Sequence, residues 1–183
     1  MAIVEKLLTA EEFGRLPDDG HRYELVRGVL VELNMPKPRH GQVCGRLQAY
    51  IFNFCDERKL GHVLCNDCGV LTQRNPDTVR GADICFYSYS QLAPGPLGTD
   101  YLPFPPDVVF EVLSPDDRPV KVMRKTREYL AVGVKAVVIV DPDDRDVEVH
   151  RPDGSVEVVR LDGNLVVPEI AADCSVSVER LFG

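Results

Sequence analysis

The sequence predicts one α/β domain, and three observations predict it. The 183 residues are enough to bury a substantial core and suit a single domain spanning 1–183. Two apolar runs, Val108–Leu113 and Ala136–Val140, are continuous enough for strands covered on both faces, with a helical stretch from Arg118 to Val132 between them. The tail from Val147 to Val167 alternates polar and apolar residues around Asp153-Gly154 and Asp162-Gly163, the pattern of an antiparallel meander.

The remaining elements follow in chain order. Thr9 and Glu12 form a capping box for a short helix through Phe13, which Pro17 and Asp18-Asp19-Gly20 end in a turn. Tyr23–Val26 and Val29–Val31 read as a hairpin with Arg27-Gly28 at its turn. After the proline-rich Met35–Pro38, Val43, Leu47, Ile51 and Phe54 recur at helical spacing and form a core stripe. Strands are expected at Val63–Cys65, Val70–Thr72 and Ile84–Phe86. The Pro- and Gly-rich loop from Ala93 to Pro106 is placed to cover or border a site.

Composition narrows the function. A net charge of −8 argues against a strong nonspecific nucleic-acid binder but leaves room for an enzyme that touches phosphate locally. No stretch is long or apolar enough for a bilayer, and Met1–Leu8 is too short an apolar stretch for a signal peptide, so a cytoplasmic protein without membrane contact is expected. The six cysteines then read as reduced thiols. Cys65 and Cys68 have the spacing of half a zinc site, but no second pair answers them, and small buried hydrophobes is the preferred reading.

Glu111 is the most informative residue. It interrupts an otherwise apolar strand on the side shared by Val109 and Leu113, where an unpaired charge would cost several kcal/mol, so a cation or a dense set of donors must lie nearby. The plain alternative is a buried ion pair with an arginine. Asp83 opens the strand Ile84–Phe86 after Arg80-Gly81-Ala82, where it is either a turn residue or a carboxylate facing a cleft. Together the two acids supply the hard oxygens that magnesium or manganese prefers. Lys121, Lys125 and Tyr129 form one helical stripe that either faces this site or belongs to a solvated face. Glu24 is a third acid in an apolar strand, which a hairpin with one wet face could hold without function. His40 reads as a cap or surface residue.

Taken in order, Tyr23–Gly28, His40, Ala82-Asp83-Ile84, Pro106–Pro115, Lys125–Tyr129, Gly133-Val134 and Val140-Asp141-Pro142 resemble the Uma-two family of restriction-endonuclease-like proteins, within the PD-(D/E)XK superfamily, from about Leu8 to Asp141. The resemblance implies a restriction-endonuclease-like core, a central mixed sheet flanked by helices, a divalent-metal site and hydrolysis of DNA phosphodiesters by an activated water. It matches Asp83 and Glu111 to the two metal-binding acids, Glu24 to an early acid that supports the metal, and Lys125 to the lysine that positions the water, since Leu113 stands where the superfamily lysine would. His40 matches a frequent family histidine. A homodimer is the default it implies. The chain departs from the family at Ala82, where proline is usual, at Lys121, where aspartate is common, and at Ala136-Val137-Val138 in place of Glu-Tyr-Trp. Two rivals stand beside the nuclease: a nuclease-fold protein without turnover that binds nucleic acid or protein, and an interaction module whose acids and lysines simply pair.

Overall fold

The computed structural model describes residues 6–183, so the expectation for the first eight residues lies largely outside the described part. After a one-turn helix α1 (Ala10–Phe13), capped by Thr9 and Glu12 as expected, the hairpin β1 (Tyr23–Val26) and β2 (Val29–Glu32) closes through Arg27 and Gly28, both at positive φ. Helix α2 (Pro38–Arg58) leads to β3 (Gly61–Gln73), β4 (Thr78–Ser88) and β5 (Val108–Val112). Then come α3 (Pro119–Ala131), β6 (Ala136–Asp141), β7 (Asp146–His150) and β8 (Val156–Val159). These strands make one mixed sheet in the order β2-β1-β4-β5-β6-β7-β8, with β3 against β4. The pairing of β5 with β6 is parallel, with α3 as the connection, and the other pairings are antiparallel. No helix among the described residues is long and apolar enough to cross a membrane.

Strand alternation divides the core. Val108 and Phe110 face the side covered by Val43, Leu47, Ile51 and Cys55 of α2, and Val109 faces the side covered by Tyr129 of α3. Cys55, not Phe54, completes the buried stripe, while Phe54 is half-buried beneath the Arg58 guanidinium. The antiparallel meander expected from Val147 to Val167 holds for β7 and β8, which continue the sheet from β6. β9 (Asn164–Val166) then leaves it to pair with β10 (Ser175–Ser177), so that Leu165 and Val176 seal the α2 side together with α4 (Val178–Phe182).

Two expectations change. The strands expected at Val63–Cys65 and Val70–Thr72 are one strand, β3, interrupted by a bulge between Cys65 and Cys68 in which Asn66 and Asp67 take positive φ. Asp83 does not open its strand but lies inside β4. Gly81 also sits inside the strand, under the bulge, where an added Cβ would come within 3.0 Å of the Asp67 Cβ. Close approach also fixes Gly61, whose Cβ would fall on the Tyr87 carbonyl and the Phe86 ring. Gly61→Ala should therefore destabilise the protein by about 3 kcal/mol, read as a lowered midpoint in denaturant; an unchanged midpoint would mean that β3 and β4 separate more easily than their register indicates.

Candidate active site

β4 has two edges, and β3 occupies one of them along its length. The other is shared: β1 meets it at Val79, and β5 meets it at Ile84 to Phe86. Between these contacts the backbone around Gly81 lacks a neighbouring strand, and side chains take its place. The Gly81 N–H donates to Glu24 Oε1 at 3.1 Å, and the Gly81 carbonyl accepts from Lys125 Nζ at 2.7 Å. Asp83 works the same way at the end of β5, accepting from the Val112 N–H at 2.8 Å through Oδ2. The strand also turns at this point. Ala82 packs on the α3 side and Ile84 on the α2 side, although residues two apart in a regular strand share a face.

The acids and cations of this gap form one network. Lys125 Nζ donates to Glu111 Oε2 at 2.8 Å and lies 3.4 Å from Glu24 Oε1. Tyr129 Oη donates to Glu111 Oε1 at 2.9 Å. Arg80 donates through Nη1 to Glu24 Oε2 at 2.7 Å and through Nε to Glu128 Oε2 at 2.6 Å. The stripe Lys121, Lys125, Tyr129 thus faces inward for its last two residues, while Lys121 stays exposed at the mouth. The arginine pair considered for Glu111 is found instead at Glu24, which is buried and not on a wet hairpin face. His40 is no surface residue either: its side chain is 13% exposed, with Nε2 3.3 Å from Asp83 Oδ2. Glu24, His40, Asp83, Glu111, Lys121 and Lys125 all line a cleft of about 420 Å³. The loop from Ala93 to Pro106 does not border it. Leu102 and Phe104 pack on the α3-side core, and Tyr101 stacks near Phe13, so apolar content and not a site explains that loop.

Four acids, Glu24, Asp83, Glu111 and Glu128, meet Arg80, Lys125 and the imidazole of His40. Burial pushes the Glu111 carboxyl up to about 7, with the Asp83 charge adding and Lys125 opposing. Burial works to lower the Lys125 ammonium, but the Glu111 and Glu24 carboxylates override it and hold the group charged. The hydrogen bond to Asp83 raises His40. Burial, helped by the Asp83 and Glu111 charges, raises the Cys44 thiol. Folded Glu111 binds its proton above the usual value of 4.5, so between pH 4.5 and about 7 its contribution to stability falls as pH rises. In metal-free protein this loss should reach about 3 kcal/mol and should flatten in Glu111→Gln, measured by denaturation across that range. Equal slopes in the two proteins would show that Glu111 does not hold the proton.

The donors fit a hard divalent cation. Asp83 Oδ1 has no hydrogen-bond partner among the described residues and each Glu111 oxygen keeps a second lone pair, so both acids have oxygens to offer a cation. Sequence reasoning did not assign Arg80, Glu128 or Cys44 to this region. Cys44 could have been found from its position four residues after His40 on one helix.

A mixed sheet with this topology is a restriction-endonuclease-like fold. It superposes with a TM-score of 0.83 on the crystal structure of "a putative nuclease belonging to DUF820" from Anabaena variabilis ATCC 29413, at 24% identity over 96% of this chain and 97% of that one. The Uma2 family, described as "Putative restriction endonuclease", matches residues 10–179, and the chain belongs to it. No curated protein matches the chain.

Proposed function

We propose that the chain works as one nuclease domain, a magnesium- or manganese-dependent endodeoxyribonuclease. The convergence of Asp83, Glu111 and Lys125 on one cleft supports this most strongly. Asp83 and Glu111 would hold the metal, with Glu24 fixing Gly81 and Lys125 beside them. A divalent ion there would polarise the phosphate and lower the pKa of water. Lys125 stays charged and therefore acts as a donor, not a base. Its three N–H groups meet Glu111, the Gly81 carbonyl and Glu24, and the contact to Glu24 at 3.4 Å is the weakest. That contact is the one to release when Lys125 turns to orient a water or to stabilise charge growing on phosphate oxygens. Arg118, Lys121 and Arg124 at the mouth give phosphate a locally basic approach in an otherwise acidic chain. A homodimer would supply one such site to each strand of a duplex.

Supercoiled plasmid incubated with the protein and magnesium or manganese should pass to nicked and linear forms, and EDTA should stop the conversion. Intact plasmid in both metals at micromolar protein speaks against the proposal. One observation favours the rival in which the acids and lysines simply pair: Lys125 is already satisfied by its own neighbours. Under that reading calorimetry detects no metal binding, and substitution of Glu111 lowers stability sharply.

A further inference from the structure

His40 and Cys44 stand one turn apart on the same face of α2, and Asp83 reaches toward them from β4. A ring nitrogen, the Cys44 Sγ and a carboxylate oxygen all lie within 4.8 Å of one another. The individual separations say more. His40 Nε2 is 3.3 Å from Asp83 Oδ2, and Cys44 Sγ is 3.6 Å from His40 Nδ1 and 3.8 Å from Nε2. A tetrahedral ion bound about 2.0–2.1 Å from nitrogen and oxygen and about 2.3 Å from sulfur spaces its ligands about 3.3–3.4 Å (N to O) and about 3.5–3.6 Å (N to S). The His40–Asp83 separation matches that spacing, while Cys44 Sγ lies alongside the imidazole, nearly equidistant from its two nitrogens, so an ion held by all three needs only a turn of the Cys44 or His40 side chain.

Donor chemistry separates this cluster from the oxygen site beside it. Magnesium takes oxygens and keeps its waters, whereas imidazole and thiolate suit zinc and its neighbours. We propose that His40, Cys44 and Asp83 form a distinct binding site for a divalent transition ion of the zinc class, adjoining the oxygen position at Asp83 and Glu111. Three protein ligands leave a fourth position open, as in reactive rather than structural zinc sites. Asp83 can serve both positions, because its Oδ2 is turned to His40 while its Oδ1 has no hydrogen-bond partner among the described residues. The same chain of contacts could be read as a Cys-His-Asp nucleophile. A reactive thiol needs its anion at neutral pH, and here burial and two neighbouring carboxylates oppose that anion unless a cation joins it. The proposal concerns binding alone and does not rest on the nuclease reading.

Cobalt(II) titrated into the metal-free full-length protein tests it. A sulfur-to-cobalt charge-transfer band in the near ultraviolet, with strong tetrahedral bands in the visible, should saturate at one equivalent. Zinc should displace the cobalt and excess magnesium should not. Cys44→Ser should abolish the band with the circular dichroism unchanged, while Cys65→Ser and Cys68→Ser keep it. Glu111→Gln should also keep it, even where manganese binding is lost, which separates this site from the oxygen position. If Cys44→Ser does not fold, His40→Ala should weaken cobalt binding at least tenfold. The proposal is overturned by a folded wild type without the band, by a band that survives Cys44→Ser, by an unchanged cobalt affinity in His40→Ala, or by rapid alkylation of Cys44 at neutral pH in place of cobalt binding.

Discussion

The double substitution Asp83→Asn, Glu111→Gln is expected to lower DNA cleavage by about three orders of magnitude, equivalent to about 4 kcal/mol of transition-state stabilisation, while the protein stays folded. Both replacements keep shape and remove charge. In Glu111→Gln the amide oxygen can accept from Lys125 Nζ while the amide NH2 donates to Tyr129 Oη, and Lys125 keeps the Gly81 carbonyl and Glu24. The double variant also loses an acid that burial disfavours as an anion. Stability at pH 8 should therefore fall by no more than about 1 kcal/mol. If the acids only hold the fold together, the same variant instead loses about 3–5 kcal/mol, because a buried cation is left short of partners. Cleavage and denaturation midpoints measured on one preparation distinguish the two.

The second large effect belongs to Lys125. Methionine keeps most of the aliphatic stem and removes the charge, so Lys125→Met should cut cleavage by about two to three orders of magnitude. It also leaves Glu111 and the Gly81 carbonyl without their cationic donor. Since the lysine side chain is 22% exposed, the stability cost should be nearer 2 than 5 kcal/mol. Manganese should then raise the melting temperature of this variant more than that of wild type, because the ion replaces the missing positive charge. A smaller shift in the variant would mean that Lys125 helps to organise the metal position instead of competing with it.

Much of the fold is legible in local pattern. Val108–Leu113 and Ala136–Val140 read as central strands because both their faces are covered, and α2 reads from an apolar stripe that packs on the sheet. The β3 bulge is hidden, because Asn66 and Asp67 carry the ordinary signature of a turn while the strand resumes beyond them. The need for Gly81 is hidden for a related reason: its small size answers to Asp67, which approaches across the sheet and not along the chain. β10 and α4 are short and depend on long-range packing under α2, which no local window contains.

The site divides in the same way. Glu111 declares itself because a charge interrupts an apolar strand, and Lys125 and Tyr129 follow from helical spacing. The role of Glu24 rests instead on a gap in sheet pairing, since it binds a backbone N–H that a strand would otherwise take. Arg80 and Glu128 are surface-type residues in sequence; Arg80 is buried here because it bridges Glu24 to the half-buried Glu128 across that gap. His40 reads as a cap until β4 brings Asp83 to it.

The central claim is that Asp83 and Glu111 share one divalent ion beside Lys125. Anomalous diffraction from crystals soaked in manganese addresses it directly. A peak bounded by both carboxylates is the predicted result. Crystals saturated with manganese that show no peak there, with Lys125 still bonded to Glu111, would contradict it.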